Sequence, residues 1–340
     1  MRKISLEKLD GVFAAIAATA KLYIPVDGEG GAKFEEWGEG KKLSHALNTT
    51  RSPKDFFFPQ SENLMEFQMN GKEIKLIDVR EESEDFVIFG VRPCDVRSFD
   101  VLDRVFLSDV PDSYYASRRE HGVIVSLACT KPGETCFCRT FGIDAAEPEG
   151  DVAAWMNGSD LYLEAKSEKG EKLLSAIADF TEESDGSEVE KQKETTEKRL
   201  DALPLEGLSA EGFGAGKTKE YFDAPEWKEL SRSCLGCGTC TFVCPTCQCY
   251  DIKDFDTGNG VIRFRCWDSC MYSEFTKMSA GQPRTSQLER FRQRFLHKLV
   301  YYPENNDGMY SCVGCGRCLS KCPISMNIVK VMKALGGDEK

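Results

Sequence analysis

No stretch of about 18 consecutive apolar residues occurs anywhere in this 340-residue sequence, so a transmembrane helix is not expected. Basic charge is also short. Lys and Arg number 44 against 56 Asp and Glu, a formal net charge of -12. Nucleic acid and anionic membrane select for basic surfaces, so neither is expected as the main partner. Histidine is scarce: His45, His121 and His297 stand apart, without the company that a catalytic histidine needs. Nucleotide-binding loops are missing too. Gly214-Ala215-Gly216-Lys217-Thr218 resembles the end of a P-loop, but position 211, where the pattern needs glycine, is Glu211. Gly28-Glu29-Gly30-Gly31 does not fit G-x-G-x-x-G. Neither NAD nor ATP binding is expected of this chain alone, and no residue is assigned a catalytic role.

A signal peptide is not expected either. Arg2 and Lys3 precede an apolar stretch at residues 12–17, but Glu7, Lys8 and Asp10 interrupt it. Leu6, Leu9, Phe13 and Ile16 recur at three- and four-residue steps, the face of an amphipathic helix with Ser5 as its N-cap. A mean hydropathy of -0.39 fits a soluble, cytoplasmic protein.

What is abundant is cysteine, sixteen in all. A disulfide scaffold is the first alternative, but such scaffolds are small domains short of core, and this chain is long enough to build one. The cysteines also cluster two to three residues apart, as metal ligands do. Cys234, Cys237, Cys240 and Cys244 form C-x2-C-x2-C-x3-C followed by Pro245; Cys312, Cys315, Cys318 and Cys322 repeat the spacing before Pro323. In this bacterial ferredoxin run three thiolates hold one [4Fe–4S] cluster and the fourth ligates the other. One cluster is therefore assigned to Cys234, Cys237, Cys240 and Cys322, the other to Cys312, Cys315, Cys318 and Cys244, the cysteines binding metal through iron. Glycines 236, 238, 314 and 316 let the backbone approach each cluster. Structural zinc uses separated C-x2-C pairs, which these runs are not.

Eight cysteines remain. The 67 residues 245–311 between the runs carry Cys247, Cys249, Cys266 and Cys270. They read as buried thiols or as ligands of a further metal centre. Ser286 to Tyr302 reads as a helix with Leu288, Phe291, Phe295 and Val300 on its apolar side. Arg290, Arg292, Arg294, His297 and Lys298 on the other side read first as a solvated face, and second as a docking surface or as compensation for cluster charge. In the N-terminal part, Cys94 follows a strand at 86–91 and Cys129 closes a strand at 123–127, with Cys136 and Cys138 just beyond. Were those strands parallel neighbours, all four thiols would reach one sheet edge, the place where α/β folds put ligands. A third [4Fe–4S] cluster is expected there; a redox C-x-C pair, core cysteines and zinc are the alternatives.

The fold expected is a mixed α/β domain over residues 1–165 and a charged linker region over 166–225. A largely helical, ferredoxin-type domain with two clusters and a long insert follows over 226–340. The acidic and basic stretch near 181–200 reads as a solvated helix or hairpin.

Taken together, Arg92-Pro93-Cys94-Asp95, Cys136-Phe137-Cys138, Cys244-Pro245-Thr246-Cys247, Trp267-Asp268-Ser269-Cys270, His297-Lys298 and the 312–318 run resemble one family. It is the iron–sulfur beta subunit of soluble multisubunit [NiFe] hydrogenases, or sulfhydrogenases, to which one of the subunits of anaerobic sulfite reductase is related. The resemblance implies an electron-transfer subunit. Its partners would be a flavoprotein NAD(P)-binding subunit on one side and, on the other, a catalytic hydrogenase or reductase subunit. A self-standing reductase, with a catalytic cluster held by the insert cysteines, is the rival reading.

Overall fold

The computed structural model describes residues 1–79 and 84–336; the last four residues of the expected C-terminal unit lie outside them. Its main sheet has eight strands: β1 (Arg2–Ser5), β2 (Lys21–Val26), β3 (Lys33–Glu36), β6 (Phe86–Val91), β7 (Gly122–Leu127), β8 (Val152–Asn157), β9 (Asp160–Ala165) and β10 (Glu182–Glu183). They lie in the order β10-β1-β9-β8-β7-β6-β2-β3. Four adjacent strands, β8, β7, β6 and β2, are parallel. All six residues of β6 are buried, the uniform apolar run of a strand covered on both faces.

Helices supply that cover. Ser5 caps a short 3-10 turn at Leu6–Lys8 rather than the helix itself, and α1 (Leu9–Ala17) follows, burying Val12, Phe13 and Ile16. Helix α2 (Pro93–Phe106) leaves the end of β6 with proline in its first turn, where the missing N–H has no intrahelical partner to lose. Helix α3 (Ser113–His121) is capped by Asp112, which accepts from the backbone of Tyr114 and Tyr115, and leads into β7.

The 166–225 region carries helix α4 (Glu168–Ala176), β10 and helix α5 (Ser187–Asp201). Most of α5 is charged and solvated. One narrow stripe, Val189, Thr196 and Leu200, is buried, with Val189 against Trp155 of β8.

The long insert does not stand apart. Its strands β11 (Tyr250–Asp256) and β12 (Gly260–Trp267) pair with β4 (Ser61–Asn70) and β5 (Glu73–Ile77) in a second, antiparallel sheet ordered β11-β12-β4-β5. Arg265 of β12 fixes the junction. Its buried guanidinium pairs with Glu62 of β4 and with Asp112, and Arg118 donates to the other Glu62 oxygen at 2.7 Å. Beside it Trp267 donates to the carbonyl of Phe58 at 3.2 Å.

The C-terminal part contains this hairpin and a set of short helices around the ferredoxin runs. After α6 (Thr218–Tyr221) they include α7 (Glu226–Arg232), α8 (Thr239–Phe242), α9 (Gln287–Leu296), Arg317–Lys321 and Ile328–Gly336. Ser286 and Glu289 close a full capping box at the start of α9. Its continuation widens into a π-helical turn at His297–Tyr301.

Replacing Arg265 with alanine leaves Glu62 and Asp112 short of their buried cation. The expected cost is about 3 kcal/mol, read as a lowered urea midpoint, with earlier proteolytic cutting inside the 250–267 hairpin. An unchanged midpoint would show that the two sheets do not depend on this residue.

Candidate iron–sulfur centres

Each ferredoxin run folds as a loop followed by one short helical turn. Gly236 and Gly238 take φ of 66° and 73°, and Gly314 and Gly316 take 58° and 74°. These are left-handed conformations that side chains resist, and they bend the chain around a centre. The two loops are therefore copies of one another in conformation as well as in spacing.

Three voids are lined by cysteine. Around the first stand Cys234, Cys237, Cys240 and Cys322, with Met271, Phe291 and Phe295 as its apolar wall. Around the second stand Cys312, Cys315, Cys318 and Cys244, with Phe137, Arg294 and Lys298. The third is lined by Cys94, Cys129, Cys136 and Cys138, together with Gly314 and Cys315 of the second loop. Each run thus sends its fourth cysteine to the other run's void. Strands β6 and β7 are parallel neighbours, so Cys94 and Cys129 leave the same edge of the sheet. No group of three or more His, Cys, Asp or Glu side chains among the described residues is arranged to hold a single metal ion.

Hydrogen bonds to sulfur are in place. The Cys234 sulfur accepts from the backbone of Gly236 at 3.5 Å and from the Gln287 amide at 3.4 Å. Thr239 lies 3.3 Å from the Cys237 sulfur and lowers its pKa; Thr246 lies 3.2 Å from that of Cys244. Burial acts the other way on the third set. It raises all four thiols, Cys138 to about 12. It likewise pushes Cys312 to about 12 and Cys315 to about 11. Without a cation to hold them as thiolates, these groups keep their protons.

The basic side of the 286–302 helix corrects the sequence reading. Arg294 and Lys298 are 2% exposed, buried among the cysteines rather than solvated. Lys298 donates to the Thr246 hydroxyl at 2.6 Å and the Ser311 carbonyl at 2.8 Å. Arg294 donates to the Cys240 carbonyl at 2.9 Å, yet its Nε and Nη1 are buried without a partner among the described residues. Leaving a buried cation so poorly paired is costly unless an anion stands beside it. A [4Fe–4S] centre with four thiolates is such an anion, and this orphaned guanidinium at the second void fits one. Sequence reasoning placed charge compensation second because Arg294 and Lys298 lie on the same helix as Arg290 and Arg292, which are more exposed. Only the tertiary position of the cysteines separates the two pairs.

The second and third voids share a wall. Phe137 donates its backbone N–H to the Gly314 carbonyl at 2.9 Å. A Cβ at Gly314 would meet the Phe137 carbonyl oxygen at 2.3 Å, and one at Gly316 the Thr135 carbonyl at 2.6 Å. Arg317, in the same loop, makes a bidentate pair with Asp95 beside Cys94, at 2.6 and 2.7 Å, with both side chains almost fully buried. Arg92 anchors the other side of the third void by donating to the carbonyls of Leu47, Ala46 and Ala128 at 2.8, 3.0 and 3.0 Å.

The remaining candidates lie elsewhere. Cys247 hydrogen-bonds Cys244, and Cys249 hydrogen-bonds Cys270. Cys266 sits on β12 opposite Asp251. His45 is exposed, His121 contacts Asp85 at 2.7 Å, and burial lowers the His297 pKa to about 4. Gly214 is tied by its N–H to the Leu299 carbonyl, 2.9 Å away, as part of a loop and not of a strand-to-helix phosphate cradle.

Residues 233–326 match the 4Fe-4S dicluster domain family. A curated relative, the "Sulfhydrogenase 2 subunit beta" of Pyrococcus furiosus, is 33% identical over 337 residues, which cover 97% of this chain and 96% of the relative. No solved structure matches. Among the described residues no helix is long and apolar enough to cross a membrane. With that identity sustained along almost its whole length, and the dicluster domain at its C-terminal end, the chain belongs to the family of sulfhydrogenase beta subunits.

Proposed function

We propose that the chain is the electron relay of a soluble, cytoplasmic oxidoreductase complex, carrying three [4Fe–4S] clusters in a row. The observation that supports this best is the shared lining: Gly314 and Cys315 belong to both the second and the third void. The ligand sets are Cys234, Cys237, Cys240 and Cys322; then Cys312, Cys315, Cys318 and Cys244; then Cys94, Cys129, Cys136 and Cys138. When bound, such clusters accept and pass single electrons. The chain's own contribution is to fix the spacing, exclude water and set the charge. Phe291 and Phe295 close the first site, while Arg294 and Lys298 offset negative charge at the second. An α/β unit over 1–165 brings the third site, and a ferredoxin-type unit over 226–340 brings the other two.

The partners proposed are a flavoprotein NAD(P)-binding subunit on one side and a catalytic hydrogenase or reductase subunit on the other. The relative's name, a numbered beta subunit, supports assembly with other chains. The chain itself reduces neither sulfite nor sulfur in this reading.

The anaerobically purified chain is expected to hold about twelve iron atoms, four per cluster, and to give reduced [4Fe–4S] resonances without reducing sulfite or sulfur by itself. Unaided turnover of either would sink the relay reading in favour of a self-standing reductase. Cys94→Ser removes a ligand of the third site, so iron content is expected to fall by about four atoms per chain while the ferredoxin-type signals persist. Gly314→Ala forces the Cys136–Cys138 loop away from its neighbour and is expected to lower iron content by a similar amount. Unchanged iron in both variants would remove the third cluster.

Loading of the third site is expected to depend on pH. Burial raises its four thiols, so the free protein carries them protonated at neutral pH, and binding must expel those protons. Uptake therefore weakens as pH falls, with proton release measurable by indicator dye during reconstitution. Uptake independent of pH would contradict thiolate ligation at this site.

A further inference from the structure

Four cysteines lie outside the three proposed clusters, and two of them make a pair. Cys249 ends the segment that leaves the first ferredoxin run; Cys270 follows β12. The strand pairing of Tyr250 with Trp267 continues one step further, where the Asp268 N–H donates to the Cys249 carbonyl at 2.9 Å. Ser269 is fully buried and receives the Thr241 hydroxyl at 2.8 Å, which fixes the turn that carries Cys270. The two thiols hydrogen-bond each other, and the Cys270 backbone N–H also serves the Cys249 sulfur. Cys249 is half-buried beside the exposed Tyr250, whereas Cys270 is buried. A part-open thiol backed by a buried one is the arrangement of an attacking and a resolving cysteine.

We infer that Cys249 and Cys270 form a redox-active dithiol that reduces small disulfides with electrons supplied by the clusters. The reading rests on the relay proposed above, which provides those electrons. The other pair is less suited: the partner of Cys247 is Cys244, which the second cluster claims.

The local chemistry agrees. The hydrogen bond from Cys270, with help from its backbone N–H and from the charges of Lys298 and Arg294, brings the Cys249 thiol down to about 7. An attacking thiol is most effective when its pKa lies near ambient pH. Cys270 moves the opposite way, its proton held by that bond and by burial.

The steps balance. The Cys249 thiolate attacks one sulfur of a small disulfide RSSR, forming a Cys249–SR bond and releasing RS⁻. Cys270 gives up its proton and attacks the Cys249 sulfur, forming the Cys249–Cys270 disulfide and releasing the second RS⁻, which takes that proton as RSH. Two electrons, drawn singly from two reduced clusters, and one proton then break the disulfide and restore the Cys249 thiolate and the Cys270 thiol. Cys247 lies within electrostatic reach of Cys270 and hydrogen-bonds Cys244, a proposed ligand of the second cluster.

The test uses the full-length holo chain, reduced anaerobically and freed of excess reductant, with hydroxyethyl disulfide as the probe. Peptide mass spectrometry after alkylation is expected to find a Cys249–Cys270 disulfide. Visible absorbance of the clusters recovers as they are oxidised. In Cys270→Ser the reaction stops at a mixed disulfide on Cys249; in Cys249→Ser no adduct forms and the absorbance fails to recover. Iron content stays the same in both variants. An adduct on Cys247 in place of Cys249, no adduct at all, or a loss of about four iron atoms in either variant would overturn the dithiol, the last by making these residues cluster ligands. A chain that lacks iron but still forms the Cys249–Cys270 disulfide would refute the relay and the electron supply while leaving the thiol exchange standing. The two failures are therefore distinguishable.

Discussion

The buried pair between Arg317 and Asp95 ties the molecule's two halves together at the point where electrons would cross. Arg317 lies between Cys315 and Cys318, in the loop that wraps the second void, and Asp95 follows Cys94 at the start of α2. Both oxygens of Asp95 are engaged, and Arg317 also donates to the Thr49 carbonyl at 2.9 Å. Taking two charges out of water costs several kcal/mol per ion, and their attraction roughly repays it. Such a pair adds little net stability over well-packed apolar residues. What it adds is position: planar, bidentate geometry permits one relative placement of the two loops, whereas an apolar contact would tolerate sliding. The close approach of Gly314 and Gly316 to the 135–138 backbone is possible only in that placement.

Charge supplies the second constraint. The chain as a whole carries an excess of carboxylates, yet the interior around the cysteines is cationic. Arg294, Lys298 and Lys54 are all about 2% exposed. Lys54 donates to the Cys247 carbonyl at 2.8 Å and lies 3.8 Å from the centre of the Trp267 ring. Burial pushes its pKa down, while the Cys244 and Cys247 sulfurs pull it back up. Among the described residues none of these three buried cations has a carboxylate in salt-bridge contact, which is hard to reconcile with a neutral pocket. They fit an interior whose anions are thiolates and iron-bound sulfide. The acidic exterior and the basic interior then have separate causes: solubility outside, and inside the need to offset clusters that gain negative charge on reduction.

How much of this was legible in the sequence depends on the range of the interaction that encodes it. The ferredoxin runs are local: spacing, glycines and terminal proline lie within twelve residues, and the left-handed glycines follow from them. The convergence of Cys94 with Cys129 needed one further step, that two buried, β-branched strands run parallel. That step could be taken because β6 and β7 are short runs dominated by β-branched and other apolar residues. Beyond that range the sequence was silent. Nothing in residues 73–77 or 250–267 announces that they share a sheet, because antiparallel pairing across almost two hundred residues leaves only an alternating pattern common to any half-exposed strand. The basic side of the 286–302 helix was ambiguous for a related reason. Helical periodicity reports which residues share a side, and not whether that side meets water or a cluster.

The second sheet gives the insert its purpose. A compact two-cluster ferredoxin has no need of residues 245–311, and a passive spacer would not be pinned by Arg265, Trp267 and Lys54 at three separate points. By pairing β12 with β11, the chain carries Cys270 back towards Cys249, and the pairing of β12 with β4 anchors that hairpin to the rest of the fold. Without that pairing Cys270 would sit on a free loop, and its meeting with Cys249 would cost the entropy of closing it. The hairpin thus does for these thiols what the Arg317–Asp95 pair does for the third site. Each converts sequence-distant cysteines into fixed neighbours of one central pair of ferredoxin loops, so that every sulfur in this part of the chain is placed relative to the same core.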